Sequence, residues 1–216
     1  MNPMHLISEA GHLLLLAAVT GWVGRRVWGT EHGGKVTASV GIVLGLGTMG
    51  MAPEWSPAFA TRALFGDFGA LSWIYLFHWL GHSLGGRSVL SVGEKRILAS
   101  SAVLGACLIY PASFGVPGAP DFYRFGFGGL ALPTASLVFA GILGWRGGTA
   151  SALCIAFGLT LYGLELHESA NLWDCLFDLP SVIVSLAILF RWGRTSLRRL
   201  RAGADGASLS GRLPPS

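Results

Sequence analysis

The stretch from residue 4 to residue 26, MHLISEAGHLLLLAAVTGWVGRR, joins a polar beginning to a long apolar run and a basic end. A helix needs about 20 mostly apolar residues to cross a bilayer, and this stretch supplies them. The two arginines follow the run, and no basic residue precedes it, which is the reverse of a cleavable secretory signal. We therefore expect a retained membrane-spanning helix whose N-terminus lies outside the cell.

The composition extends this prediction to the whole chain. Its 216 residues are 52% hydrophobic and only 12% charged, whereas soluble domains carry about 25% charged residues. Further apolar segments follow the first, so the predicted fold class is an all-α, polytopic membrane helix bundle of about seven transmembrane helices. The predicted spans are 4–24, 36–53, 69–86, 96–114, 127–145, 149–166 and 171–192.

The distribution of charge agrees with this topology. With the N-terminus outside, the inner segments hold all of the fifteen basic residues except Arg62 and Arg124, as the positive-inside rule requires. The scarcity of Lys beside abundant Gly, Ala and Arg is typical of a GC-rich bacterial genome. We therefore expect a multi-pass protein of a bacterial inner membrane, with a bundle at 1–192 and a basic, disordered cytoplasmic tail at 193–216. Nothing aromatic or folded accompanies the tail arginines, so nucleic-acid binding is not predicted.

Ionisable residues inside a membrane are costly, so their positions are the best guide to function. His5, Glu9 and His12 recur at helical spacing and fall within about 60° of arc on one face of the first span. Two imidazoles and a carboxylate at this spacing can bind a divalent metal. The alternative is a helix end whose polar residues meet lipid headgroups.

A second polar group is the segment HWLGH, residues 78–82, in the third span. His78 lies about 13 Å below the start of that span, at the depth expected for His12. It is therefore the fourth predicted metal ligand. The alternative is that His78 and His82 form hydrogen bonds across a helix interface.

The third group is the acidic segment LELHESANLWDCLFDLP, residues 164–180. Asp174 and Asp178 lie four residues apart on one face of the predicted seventh span, and Glu165 ends the sixth. With Glu54 from an outer loop, these are the predicted catalytic carboxylates, because carboxylates crowded in a low dielectric retain protons and can act as general acids. The alternative is that Asp174 or Asp178 caps a helix beside Pro180.

These groups predict a polar site that opens toward the outer face. The expected function is a membrane-embedded enzyme acting on a lipid-like or lipid-soluble small molecule, by metal-assisted hydrolysis or general-acid chemistry. A divalent metal is the cofactor that the first mechanism requires. Two alternatives stay open: a small proton- or cation-coupled transporter, and a non-catalytic, haem- or copper-binding subunit with a membrane-protein partner.

Overall fold

The computed structural model describes residues 3–29, 31–48, 57–85 and 88–210. Within these ranges the chain is helical and has no β-strand, apart from one isolated antiparallel bridge between Phe127 and Asn171. A short 3₁₀ helix, Tyr123–Gly126, precedes α6. The α-helices are α1 Pro3–Trp28, α2 Glu31–Thr48, α3 Pro57–Phe65, α4 Ala70–Ser83, α5 Val92–Ser113, α6 Ala131–Trp145, α7 Thr149–Gly163, α8 Leu172–Leu176 and α9 Leu179–Ser210.

The all-α prediction is confirmed, and each predicted span overlaps a helix. Among the described residues, two helices are long and apolar enough to cross a membrane, the segment Met4–Trp28 of α1 and the whole of α5. The helices α6 and α7 are apolar but have 15 residues each. Helix α9 continues beyond residue 192 to Ser210, so the division into a bundle and a tail at this point stays a prediction.

Small residues bring α1 and α2 close together. Ala17 and Ala38 are completely buried between the two helices. A Cβ atom added to Gly41 would lie 3.0 Å from the Ala17 backbone, and one added to Gly45 would lie 2.7 Å from Leu13. Small side chains at such positions allow helix backbones to approach closely, as in membrane helix pairs.

Helix α4 occupies the centre of the bundle, in contact with α1, α7 and α9. One of its faces places Leu71 and Tyr75 in a core cluster with Ala102 of α5 and Cys154 of α7. The opposite face places Trp73 against side chains of α1. The start of α4 is therefore held among several helices, and the candidate site lies at this level.

The predicted seventh span, 171–192, is divided into two helices. Phe177 is extended, with φ −149° and ψ 142°, and it separates α8 from α9. Pro180 is the second residue of α9, where a missing N–H is tolerated. The prediction that Asp174 and Asp178 share one helix face is therefore wrong, because Asp174 belongs to α8 and Asp178 precedes α9.

Charge distinguishes two ends of the bundle. We call the end that carries Asp67, Asp174 and Asp178 the acidic end, and the end that carries Arg25 and Arg191 the basic end. The helical rise separates Asp178 from Arg191 by about 20 Å along α9. Helix α1 starts at the acidic end, where Ser8 contacts Asp67, and reaches Arg25 and Arg26 in its last turn.

Candidate functional site at the acidic end

A polar cavity of about 320 Å³ opens at the acidic end. It is formed by the loop before α4, the loop between α7 and α8, the link between α8 and α9, and one residue of α5. Its lining residues are Gly66, Asp67, Tyr110, His167, Glu168, Ser169, Asp174, Asp178 and Leu179. Two of the predicted catalytic residues, Asp174 and Asp178, are thus brought together.

Asp178 joins the N-termini of two helices. Its Oδ2 accepts a hydrogen bond from the Gly69 backbone N–H at 2.7 Å, at the start of α4. Its Oδ1 accepts bonds from the Ser72 hydroxyl at 2.6 Å and from the Ser181 backbone N–H at 2.7 Å. Because helix N-termini carry partial positive charge, a carboxylate is favourable between them. The capping role proposed as the alternative for this residue is therefore present, and the carboxylate still borders the cavity.

Asp174 has a different environment. Its Oδ2 accepts hydrogen bonds from the Tyr123 hydroxyl and the Ser169 hydroxyl, both at 2.6 Å. Within the described part of the chain its Oδ1 has no hydrogen-bond partner. Asp174 therefore offers the cavity a carboxylate oxygen that a ligand can use.

The 3₁₀ helix is fastened to α8, and this contact positions Tyr123. Asn171 caps α8 by accepting the Trp173 backbone N–H at 2.9 Å, and its Nδ2 donates to the Tyr123 carbonyl at 3.0 Å. The Trp173 indole donates to the Phe122 carbonyl at 3.1 Å. Burial, reinforced by the hydrogen bond to Asp174, raises the pKa of Tyr123 to about 12. Tyr123 therefore keeps its proton and remains a donor to Asp174 at neutral pH.

Asp67 connects the loop before α4 to α1. Gly66, at φ 68°, ends α3 in the left-handed conformation that glycine favours. Asp67 follows it, and its Oδ1 accepts the Ser8 hydroxyl at 2.5 Å and lies 2.9 Å from Nε of Arg62. Its Oδ2 accepts the Glu168 backbone N–H at 3.2 Å. A nearly buried carboxylate is thereby paired, as burial of a charge requires.

His167 presents an unused donor. Its Nδ1 accepts the Ser169 backbone N–H at 3.0 Å, so the neutral ring carries its proton on Nε2. That Nε2 is buried and has no hydrogen-bond partner among the residues that the structure describes. Buried polar atoms are normally paired, so His167 is the described side chain of the cavity most in need of a ligand atom.

Two further unpartnered polar groups lie close by on α1. His12 is completely buried beside Phe68, with ring centroids 4.5 Å apart. Neither of its ring nitrogens, nor Oε2 of Glu9, has a partner within the described ranges. The polar stripe predicted for the first span therefore does turn inward at Glu9 and His12.

The other predicted site residues lie apart from the cavity. His5 is an exposed neighbour of Arg62, 3.0 Å from its guanidinium. Glu165 is exposed, at φ 52° in the turn after α7. Glu54 lies outside the described residues.

His78 does not join His12 at the acidic end, contrary to the predicted match in depth. Its Nε2 lies 3.3 Å from the Lys95 ammonium, and its Nδ1 lies 3.3 Å from the Ser88 hydroxyl. These contacts follow the alternative interpretation, a hydrogen-bonded histidine between helices. His12 packs on Phe68, just before α4 begins at Ala70, so the helical rise carries His78 about 12 Å further along α4, toward Lys95.

The predicted metal ligands are not gathered into one cluster. Among the described residues, no group of three or more His, Cys, Asp or Glu has an arrangement that could hold a metal ion. The proposed set of His5, Glu9, His12 and His78 is divided among separate environments. The metal site therefore stays a prediction.

Three residues had no assigned role in the sequence analysis: Asp67 and His167, which line the cavity, and Tyr123, which donates to Asp174. Asp67 lies in the four-residue stretch GDFG between α3 and α4, and a charged residue between two glycines in so short a connection was a usable signal. Tyr123 had no comparable signal, since its hydroxyl reaches Asp174 across 51 residues of sequence.

An apolar groove of about 360 Å³ lies on the other side of the α8 segment. Its walls are Leu104 and Gly105 of α5 and Ala135 and Phe139 of α6, and α7 contributes to its floor. Trp173, Leu176 and Phe177 close it toward the acidic end. A Cβ atom on Gly105 would collide with the Phe177 ring, so this ring packs directly on α5.

No protein-family model, curated protein or solved structure matches this chain. The assignment of a function therefore depends on the geometry of the site alone.

Proposed function

We propose that this protein is an integral membrane enzyme that performs general acid–base chemistry on the polar head of a lipid-like substrate. One observation carries the proposal: the same short segment, Trp173–Asp178, borders the polar cavity with its aspartates and the apolar groove with its aromatic rings. An amphipathic molecule has this division of character, with a polar head and an apolar chain. The groove would hold the chain, and the cavity would hold the reacting head.

The residues of the cavity suggest distinct roles. Asp174 would accept a proton from a substrate hydroxyl or from a water, since its Oδ1 is unoccupied and its Oδ2 is held by Tyr123 and Ser169. His167 would donate a hydrogen bond from Nε2 to an oxygen of the substrate, because that nitrogen has no protein partner among the described residues. Asp178 would be a positioning residue, since its oxygens are engaged by α4 and α9.

The membrane location is supported by the outer surface of the bundle. Large apolar side chains point outward on several helices, including Leu104 at 63% exposure, Leu137 at 63% and Phe190 at 67%. Soluble proteins seldom expose apolar patches this extensive. We accordingly propose seven spans in a bacterial inner membrane, with the acidic end outside and the basic end facing the cytoplasm.

Cysteine labelling tests this orientation. A single cysteine introduced at the exposed Asp121, in a background without the three native cysteines, is expected to react with a membrane-impermeant maleimide on intact cells. A cysteine at Arg194 is expected to react only after the cells are lysed. Equal labelling of both positions on intact cells would contradict the orientation.

The enzymatic proposal is tested by lipid turnover. Purified protein in vesicles of total bacterial lipid extract is analysed by mass spectrometry before and after incubation. We expect one lipid class to be converted by the wild type, and about 100-fold more slowly by Asp174→Asn, the range for losing a general base. Ala135→Phe, which fills the groove, should also slow conversion. Leu137→Phe, on the exposed face of the same helix, is the matched control and should not.

Two outcomes would refute this function. Unchanged lipid composition with the wild type would remove the substrate class. Conversion at the wild-type rate by Asp174→Asn would remove the role of the cavity. Elemental analysis of the same preparation tests metal-assisted hydrolysis as the mechanism. That mechanism requires a stoichiometric metal in the wild type and its loss in His12→Ala.

A second candidate function, proton-coupled transport, is favoured by the unpartnered polar atoms of Glu9 and His12 on α1. Ionisable groups buried in a membrane bundle frequently form proton pathways. Proton uptake into vesicles, measured with a pH-sensitive dye, is expected to be lost in His12→Leu if this function is correct. Wild-type vesicles that take up no protons with any lipid or solute gradient would exclude it.

A further inference from the structure

Two cavities of about 640 Å³ and 590 Å³ lie side by side at the basic end of the bundle. They share three lining residues, Trp79 and His82 of α4 and Arg191 of α9. Because the same side chains form part of both walls, the two cavities adjoin, and a ligand with more than one chain could reach into both. This region is separate from the candidate site at the acidic end.

Basic side chains dominate the polar part of the lining. Arg25 and Arg26 complete the first cavity, and Lys95 and Arg96 complete the second. Arg191 belongs to both cavities. The combined region therefore concentrates cations from three helices, α1, α5 and α9, on one ligand space.

Within the described part of the chain, no acidic side chain pairs with Arg25, Arg26 or Arg191. Arg62 forms its ion pairs at the opposite end, and no ion pair between described residues involves Arg25 or Arg191. Glu94 lies at the basic end, but its carboxylate accepts the backbone N–H groups of Ser91 and Ala150 and lines neither cavity. An anionic group would therefore complement the charge of this region.

The remaining lining is apolar and aromatic. Trp22 and Trp79 are 63% and 42% exposed, and Val19 and Ile188 lie beside them in the walls. Arg96 stacks over the Trp192 ring, with its guanidinium carbon 4.7 Å from the ring centroid. Tryptophan and arginine are typical of the membrane–water interface, because the apolar part of each side chain contacts acyl chains and its polar end contacts lipid headgroups.

We propose that the joined cavities bind an anionic phospholipid, with its phosphate among Arg25, Arg26 and Arg191 and its acyl chains along the tryptophans. Guanidinium groups bind phosphate oxygens in a two-pronged geometry, and this favours arginine at such sites. Basic pockets between membrane helices are known to hold anionic headgroups. A free phosphate would satisfy the arginines but leave the apolar walls uncovered.

The proposal is tested with phosphatidylglycerol and the full-length chain, purified in detergent and stripped of lipid. Native mass spectrometry counts bound lipid across a titration at about 0.5 M ammonium acetate, where the screening length of about 4 Å suppresses attraction by distant charges. Each arginine near a lipid surface accounts for about fivefold in affinity. The double variant Arg25→Gln/Arg191→Gln is therefore expected to bind about 30-fold more weakly.

The matched control is Arg198→Gln/Arg199→Gln, which removes two charges from exposed positions of α9 that line neither cavity. It should change the affinity for phosphatidylglycerol by less than about threefold at this salt concentration. Equal loss in both double variants would overturn the site, because it would show diffuse attraction alone. Equal binding of phosphatidylcholine, or full competition by inorganic phosphate at the same concentration, would overturn the choice of ligand. If the double variant does not fold, Arg191→Gln decides the same question, and unchanged affinity in it would overturn the proposal.

Discussion

Replacing Asp178 tests how the acidic end is held together. The carboxylate accepts three short hydrogen bonds, two of them from backbone N–H groups at the starts of α4 and α9. In Asp178→Ala these donors lose their acceptor together. Hydrogen bonds to a charged group contribute about 1.5–3 kcal/mol each, and loss of a helix cap costs about 0.5–2 kcal/mol.

The three contributions are not additive, because water from the adjoining cavity can reach part of the vacated space. We therefore expect Asp178→Ala to lower the free energy of unfolding by about 3–5 kcal/mol. Asp178→Asn is expected to lose about half as much, since asparagine still caps α9 but presents an amide to one of the other donors. Comparing the two variants separates the contribution of the negative charge to stability from the contribution of the helix cap.

The measurement is unfolding in mixed micelles by titration with dodecyl sulfate, followed by circular dichroism. Asp121→Ala is the control, because Asp121 is exposed and accepts one long bond of 3.3 Å from the Arg124 backbone. It should change stability by about 0.5 kcal/mol or less. A loss below about 1 kcal/mol in Asp178→Ala would refute the double-cap interpretation and return Asp178 to the candidates for proton transfer.

Three further predictions concern single contacts at the same end. The pKa of Tyr123 is about 12 in the folded protein, and that of a tyrosine in the unfolded chain is about 10. The hydrogen bond from Tyr123 to Asp174 therefore stabilises the fold fully below about pH 10, and this stabilisation is lost as the pH rises through about 12. The difference in melting temperature between wild type and Tyr123→Phe should narrow over that range, and a constant difference would contradict the prediction. Gly126→Ala places a Cβ against Oδ1 of Asn171 and should destabilise by about 1–3 kcal/mol; Gly129→Ala, which meets no neighbour, is its control. His12→Leu should leave the melting temperature unchanged or raise it, because neither ring nitrogen makes a hydrogen bond of good geometry with the described residues, and a loss beyond about 2 kcal/mol would show that the approach to the Gly66 backbone stabilises the fold.

The helices were predictable because their signal is local. An apolar run of bilayer length identifies a helix without any knowledge of its neighbours, and each of the predicted spans overlaps a helix in the structure. There are two exceptions: no predicted span covers α3, and in the segment 171–192 the apolar run conceals a break at Phe177. Pro180 together with a preceding acidic residue was the available sign of a new helix start.

The site was less predictable because its contacts join distant parts of the chain. Ser8 and Asp67 are separated by 59 residues, and Gly69 and Asp178 by 109. The start of α1 does lie beside the loop between α7 and α8, since Asp67 accepts both the Ser8 hydroxyl and the Glu168 backbone N–H. Reasoning from depth in the membrane misplaced His78, because it measured each helix from its own start, whereas His12 in the third turn of α1 packs against Phe68, before the first residue of α4.

The different environments of Asp174 and Asp178 show what an acid inside a helical bundle requires. Both carboxylates stand at the start of a helix, yet Asp178 is satisfied on both oxygens by groups that also hold α4 and α9 in place. Asp174 is satisfied on one oxygen, by two hydroxyls that a substrate hydroxyl or water can replace. A carboxylate whose partners are backbone groups cannot exchange them without unfolding a helix end, whereas one whose partners are side-chain hydroxyls can. Chemistry at this cavity is therefore expected to pass through Asp174, with Asp178 keeping the two helices in the positions that this requires.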